Sequence, residues 1–471
     1  MNGTEPLPSL QDKATTGTKT PAIEALVSSV SDGLNGQVDV PGDKSISHRS
    51  LILAGMAIGQ TRIKGLLRGE DVLSTLNAMR QLGVNITDQE DNGVVAVDGV
   101  GTGGFITPDK PLDLGNAGTG VRLLMGAVAG QPVSATFSGD ASLSARPMKR
   151  ITDPLEQMGA QVSYLPEHQK KGLLPVTITG ASPVLPLIYS PRVASAQIKS
   201  AIMLAGLNAR GNTVVTEPHI SRDHTESMLR HFGVDVAQDV LADGRHQVTL
   251  AGEASLTAKD ILVPRDPSSA AFAMVAALIT PQSDIILPAV GLNPQRTGLI
   301  TTLIDMGADI IITNERQEGG EPVGDIRVRS SRLKGIDVPA ERAASMIDEY
   351  PVLSVAAACA QGQTFMPGVA ELRVKETDRI AVMANGLKAC GVSVSETTDS
   401  LTVEGMTAVP GGASIASQHD HRIAMSFLVL GMVSQTPITV RDTATIATSF
   451  PGFARLMNSA GAKIHAPEAL N

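Results

Sequence analysis

The sequence predicts an α/β protein of two look-alike halves, each assembled from three βαβαββ units. Three observations predict it. A helix-ending glycine motif recurs six times at near-regular spacing. A small-residue, apolar helix followed by a β-branched strand precedes each copy. One segment that opens the first half is echoed where the second begins.

The first 30 or so residues are polar and rich in Ser and Thr, with Glu5 and Asp12 and no Arg. They lack the basic-then-apolar order of a secretory signal and the arginines of a transit peptide. Residues 1–35 therefore read as a flexible tail. The glycine motif then appears as Leu82-Gly83-Val84-Asn85-Ile86, Met158-Gly159-Ala160-Gln161-Val162 and Phe232-Gly233-Val234-Asp235-Val236. It continues as Met306-Gly307-Ala308-Asp309-Ile310, Cys390-Gly391-Val392-Ser393-Val394 and Ala460-Gly461-Ala462-Lys463-Ile464. Each copy reads as a helix stopped by Gly and followed by a strand.

The preceding helices are expected over 48–59, 196–207, 269–279 and 350–360, before strands at 61–63, 213–216, 285–287 and 364–366. They have little polar stripe, and a helix apolar all round is buried. Each unit thus has one inward helix and one more exposed. Val40-Pro41-Gly42-Asp43-Lys44-Ser45 is echoed by Val263-Pro264-Arg265-Asp266-Pro267-Ser268, which suggests two chain crossings between the halves. The first half is expected over 42–262, and the second over 36–41 with 263–471.

With 471 residues, 42% apolar, the chain can bury a sizeable core, but aromatics are 2% and Trp is absent. A net charge of −9 argues against a broad nucleic-acid surface. Cys359 and Cys390 make no disulfide framework and read as core packing, consistent with a reducing cytoplasm. No apolar run is long enough for a membrane span.

Chemistry concentrates at the starts of the inward helices. These begin Asp43-Lys44-Ser45-Ile46-Ser47-His48-Arg49, Asn116-Ala117-Gly118-Thr119-Gly120-Val121-Arg122 and Ser195-Ala196-Gln197-Ile198-Lys199-Ser200 in the first half. In the second they begin Asp266-Pro267-Ser268-Ser269, Asp348-Glu349-Tyr350-Pro351 and Asp420-His421-Arg422. Capping explains the Asp, Asn and Ser residues singly. It does not explain Lys44, Arg49, Arg122 and Arg422, because a cation at a helix N-terminus is disfavoured unless an anion joins it. The segment Glu371-Leu372-Arg373-Val374-Lys375-Glu376-Thr377-Asp378-Arg379 is the densest charge cluster in an apolar neighbourhood. It reads either as a solvated helix start with local ion pairs or as part of the same site.

The motifs Pro-Gly-Asp-Lys-Ser-Ile-Ser-His-Arg (41–49), Gly-Asn-Ala-Gly-Thr-Gly (115–120), Arg-Val-Lys-Glu-Thr-Asp-Arg (373–379) and Asp-His-Arg-Ile-Ala-Met (420–425) resemble those of 5-enolpyruvylshikimate-3-phosphate synthases, in order, over about 36–465. The resemblance implies a two-domain inverse α/β barrel with helices buried inside, closing like a hinge. It implies transfer of the enolpyruvyl group of phosphoenolpyruvate to shikimate 3-phosphate, with no cofactor and no metal, in a cytoplasmic monomer. Lys44, Ser45, Arg49, Ser195, Ala196, Gln197, Arg222, Asp348 and Lys375 would hold or line shikimate 3-phosphate. Lys44, Asn116, Gly118, Arg146, Gln197, Arg379 and Arg422 would hold phosphoenolpyruvate. Asp348 would take the hydroxyl proton, and Lys44 and Glu376 are the candidates for proton delivery.

Two departures stand out. Many members carry Arg at Ser142 and Lys at Ser449; their absence resembles a second branch of the family, associated with tolerance of the inhibitor glyphosate. Gly118, by contrast, is the residue of sensitive members, so appreciable sensitivity is expected. Gly99-Val100-Gly101-Thr102-Gly103-Gly104 matches a dinucleotide fingerprint but has no helix after it, and reads as a turn. His419 and His421, spaced i, i+2, are not expected to hold a metal. Rival readings are a transferase acting on UDP-N-acetylglucosamine, whose loop cysteine has no counterpart here, and a non-enzymatic phospho-ligand binding module.

Overall fold

The computed structural model describes residues 24–89 and 92–467. All six motif glycines lie in the left-handed region, with φ from 86° to 120°. At each, the glycine N–H donates three residues back and the next N–H donates five back, as in Gly83 to Arg80 and Val84 to Met79. That closes the helix and launches the strand.

Six sheets share one plan. Each holds three antiparallel strands, and the preceding unit of the same lobe adds a parallel edge, which beside Gln363–Pro367 consists of isolated bridges alone. In the first lobe Leu112 pairs with Phe137, Ile188 with Val214, and Ile261 with Ile63, so the third unit closes on the first. In the second, Asp337 pairs with Phe365, Ser414 with Thr439, and Asn35 with Asp284, so the sixth unit closes on the fourth.

The inner helices are Lys44–Met56, Gly118–Ala129 and Ala196–Gly206 in one lobe. In the other they are Pro267–Ile279, Tyr350–Ala358 and His421–Gly431. Small residues let them approach closely: a Cβ on Gly126 would lie 2.3 Å from the Ala201 carbonyl. One apolar core runs from Ile46 to Val263, and the other joins Leu26, Leu34, Val38 and Val40 to residues 270–464. No helix among the described residues is long and apolar enough to cross a membrane.

The expected tail is corrected at its end. Ala25–Ser29 is a strand between Ile438–Arg441 and Lys463–His465, supplying the strand that the sixth unit needs. Its partners are remote in sequence and its Ser content disguises it, although Ser28 is fully buried. Leu34 is likewise buried and Asn35–Gln37 is a strand, so of the expected tail only residues 1–23 lie outside the described residues. The helix expected over 48–59 is Lys44–Met56, because Asp43 caps it and the alternating strand Ala57–Lys64 begins directly after Met56. Gly101 to Gly104 form a turn with no helix following.

Candidate active site

Four inner helices are capped as the sequence suggests. Asp43 accepts from Ile46 N–H (2.8 Å), Ser195 from Ile198 N–H (3.5 Å), Asp266 from Ser268 N–H (2.8 Å) and Asp420 from Arg422 N–H (2.9 Å). The other two, Gly118–Ala129 and Tyr350–Ala358, have no side-chain cap. Asn116 and Asp348, the residues expected to cap them, serve cations instead.

Asp348 sits at the centre of the site. Arg222 of the first lobe donates to it at 2.8 Å, Arg379 lies at 3.3 Å and Lys375 at 3.7 Å, and Arg422 donates to its backbone carbonyl at 3.0 Å. Burial alone would raise the Asp348 carboxyl, but Lys375, Arg422, Arg222 and Arg379 hold it well below the usual carboxylate range. Arg379, 1% exposed, also grips Asp420 at 2.8 Å and Glu376 at 2.6 Å. Glu376 faces Arg146 of the first lobe at 3.7 Å. Burial opposes its ionisation, yet Arg379, with His421 and Arg146, keeps the carboxyl far below its ordinary value. The charge-rich segment therefore divides in two. Arg373, bonded to Asp378 and Glu396, is a local brace, Glu376 and Arg379 meet Arg146 and Asp348, and Lys375 does both, donating to Glu371 at 2.9 Å while facing Asp348.

Around the uncapped start at Gly118 the charge is one-sided. Arg146 donates to Asn116 (3.0 Å) and Ser142 (3.3 Å), and Arg122 donates to Gln197 at 2.7 Å. Arg122 Nε has no partner. Burial, joined by neighbouring Arg150 and Arg146, lowers Arg122 to about 9. Free helix N–H groups beside Arg122, which has no carboxylate in contact, and Arg146, whose nearest carboxylate is Glu376 at 3.7 Å, form an anion site. Arg122 was visible in the sequence as a misplaced cation, but nothing there ranked it with the ligand-holding residues.

Lys44 pairs with Asp71 at 3.0 Å, a partner the sequence does not signal. Arg49 is buried and donates to Thr225 (2.7 Å), Ser200 (3.0 Å) and the Ser45 carbonyl (3.0 Å). With no carboxylate in contact, burial lowers it to about 10. Beneath Ser195, Glu217 accepts the Ser195 amide at 2.7 Å and the Ser221 hydroxyl at 2.7 Å, and Lys199 neutralises it at 2.9 Å. One buried pair thus positions both the Ser195-Ala196-Gln197 turn and the segment carrying Arg222. Ser449 is buried, and its hydroxyl has no partner. Among the described residues no group of three or more His, Cys, Asp or Glu is placed to hold a metal.

Cations of both lobes thus surround Asp348 and Glu376, in a chain whose residues 29–457 match the family profile described as EPSP synthase (3-phosphoshikimate 1-carboxyvinyltransferase). The chain belongs to the EPSP synthase family. It is 56% identical over 433 residues to a 3-phosphoshikimate 1-carboxyvinyltransferase of Cereibacter sphaeroides, covering 92% of this chain and 96% of that protein. It is 57% identical over 442 residues to that of Roseobacter denitrificans, covering 93% and 97%. The solved EPSP synthase of Acinetobacter baumannii superposes with a TM-score of 0.84 at 47% identity, over 94% of this chain and all of that one. The enolpyruvyl transferase NikO of Streptomyces tendae shares the fold, with a TM-score of 0.75 at 18% identity over 95% of this chain and all of that one. The two-domain inverted α/β architecture is thus that of enolpyruvyl transferases.

Two histidines at the site tie stability to pH. Burial, with the charge of Lys44 nearby, lowers His48 and His421 to about 3 each. The unfolded chain protonates them near pH ~6.5 while the fold resists, so their stabilising contribution is complete above that pH and declines toward pH ~3. Between pH ~7.5 and ~5 the loss is on the order of 2 kcal/mol per histidine, measurable by urea denaturation at both values. His48→Gln should flatten this dependence, and an equally steep fall in that variant contradicts the assignment.

Proposed function

We propose that the chain joins phosphoenolpyruvate to the 5-hydroxyl of shikimate 3-phosphate and releases phosphate, as in the shikimate route to aromatic amino acids. The observation that carries this reading is the meeting of Arg146 and Arg222 from one lobe with Glu376 and Asp348 of the other. Ser45, Arg49, Ser195, Gln197, Arg222 and Lys375 hold shikimate 3-phosphate, with Ala196 lining the site. Lys44, Asn116, Arg146, Gln197, Arg379 and Arg422 hold phosphoenolpyruvate against Gly118, and Arg122 adds charge there.

The methylene carbon gains a proton, leaving positive character at the carbon bearing phosphate. The 5-hydroxyl attacks that carbon while Asp348 takes its proton. The tetrahedral intermediate then loses a methyl proton and expels phosphate, restoring the enol. Glu376 is ionised between Arg379 and Arg146, so it must gain a proton before giving one, which leaves Lys44 as the donor. We therefore assign the first proton to Lys44 and its later removal to Glu376. In the free chain four cations make Asp348 a weak base. Substrate anions sharing those cations would strengthen it, coupling base strength to a filled site. Closure of the lobes, read as 42–262 and as 36–41 with 263–471, would exclude water from the cationic carbon.

Phosphate release measured with shikimate 3-phosphate and, separately, with UDP-N-acetylglucosamine tests the reading. Turnover is expected only with the first, and turnover with the second alone overturns it. Burial raises Cys359 to about 12 and Cys390 to about 11, which disfavours either as the reactive thiol of the rival transferase.

Glyphosate should inhibit, and Gly118→Ala should weaken that inhibition. A Cβ there would lie 3.1 Å from Arg146 Nη1 and 3.6 Å from Arg122 Nη1, within the space an anion needs. A rise in the inhibition constant of about tenfold or more is expected, the equivalent of ~1.4 kcal/mol. An unchanged constant contradicts the placement of Gly118.

A further inference from the structure

The chain crosses between the lobes at two adjacent segments. Asp43 N–H donates to the Pro264 carbonyl at 2.8 Å and Asp266 N–H to the Pro41 carbonyl at 2.9 Å, with Gly42 and Arg265 paired antiparallel between them. Each crossing thus delivers an aspartate that caps an inner helix, Asp43 in one lobe and Asp266 in the other. Both carboxylates are buried on the same arginine. Arg296 donates to Asp43 Oδ2 at 2.9 Å, to Asp266 Oδ1 at 3.0 Å and to Ser268 Oγ at 2.8 Å. Its side chain is 4% exposed.

The contacts continue to the site in both directions. Asp43 opens the helix carrying Lys44, Ser45 and Arg49. The Ser268 hydroxyl donates to Glu349, and Arg422 reaches both Glu349 (3.4 Å) and the Asp348 carbonyl (3.0 Å). Two buried carboxylates this close repel. Burial raises Asp266 and Asp43 raises it further, while Arg296 opposes both effects. A planar guanidinium satisfies two acids and a hydroxyl in one fixed arrangement, which a lysine cannot reproduce.

We infer that Arg296 is a positioning residue for the transfer step: by gripping Asp43 and Asp266 where the chain crosses, it fixes the helix carrying Lys44 against the helix starts carrying Asp348 and Arg422. The inference rests on the enolpyruvyl-transfer reading, and turnover by the unmodified chain checks that reading separately.

The test compares full-length wild type with Arg296→Lys and with Arg296→Met combined with Asp266→Asn. The double variant removes one of the two carboxylates that the arginine neutralises, which guards against a failure to fold. Thermal melts, calorimetric titration with shikimate 3-phosphate, steady-state kinetics and small-angle scattering with and without shikimate 3-phosphate are measured on each. In a variant that melts cooperatively, shikimate 3-phosphate affinity should stay within about threefold, because most of its ligands lie in the first lobe. kcat should fall by about 10²-fold, the cost of misplaced reacting groups, and ligand-induced compaction should shrink. A folded variant with kcat within about threefold of wild type, or with unchanged compaction, overturns the inference. Loss of the cooperative melt in both variants also overturns it, since Arg296 would then serve folding alone.

Discussion

Asp348→Asn is expected to lower kcat by on the order of 10²–10⁴-fold while shikimate 3-phosphate still binds. The amide keeps the size of the side chain and removes the group that accepts the hydroxyl proton. It also removes the charge that holds Arg222, Lys375, Arg379 and Arg422 together, including the 2.8 Å contact between lobes. The unliganded variant should therefore be less stable than wild type, since four cations then face one another without their shared partner. Shikimate 3-phosphate should raise its melting temperature by more than it raises that of wild type, because the ligand replaces the missing charge. Steady-state kinetics and melts with and without ligand check both halves. A variant that turns over at the wild-type rate removes Asp348 from the chemistry.

Arg379→Met should produce the largest loss of stability of any single change at the site. The guanidinium is 1% exposed and meets Asp420, Glu376 and Asp348. Removing one partner of a buried ion pair costs about 3–5 kcal/mol, and here three carboxylates lose the same partner. For a lobe of this size the melting temperature should fall by roughly 6–20 °C. Arg379→Lys should recover only part of that, since an ammonium cannot span the three acids in the fork geometry of arginine. Phosphoenolpyruvate turnover should fall in both variants. A melt unchanged in Arg379→Met would mean that these carboxylates do not depend on Arg379.

The fold was legible wherever a requirement is local. A helix that ends and turns sharply into a strand needs a left-handed residue, and Gly83, Gly159, Gly233, Gly307, Gly391 and Gly461 meet that need within a few residues of sequence. The strand Ala25–Ser29 was hidden because its identity comes from pairing with Ile438–Arg441 and Lys463–His465, at the far end of the chain. The site shows the same divide. Cations near the starts of apolar helices are electrostatically costly, so Lys44, Arg49, Arg122 and Arg422 are legible in the sequence. By local pattern Asp348 reads as a cap, and only the family resemblance marks it as the base; the fold shows that it caps nothing and faces four cations. The Asp71 partner of Lys44 and the Glu349 partner of Arg422 come from other segments, and no local pattern could have paired them.

The most direct measurement is a crystal structure of the chain with shikimate 3-phosphate and glyphosate bound together. Both ligands should lie between the lobes, touching Arg146 and Arg222 from one side and Lys375, Arg379 and Arg422 from the other, with the Asp348 carboxylate within hydrogen-bonding distance of the 5-hydroxyl. Ligands seated on one lobe alone, away from Asp348 and Glu376, would contradict the account.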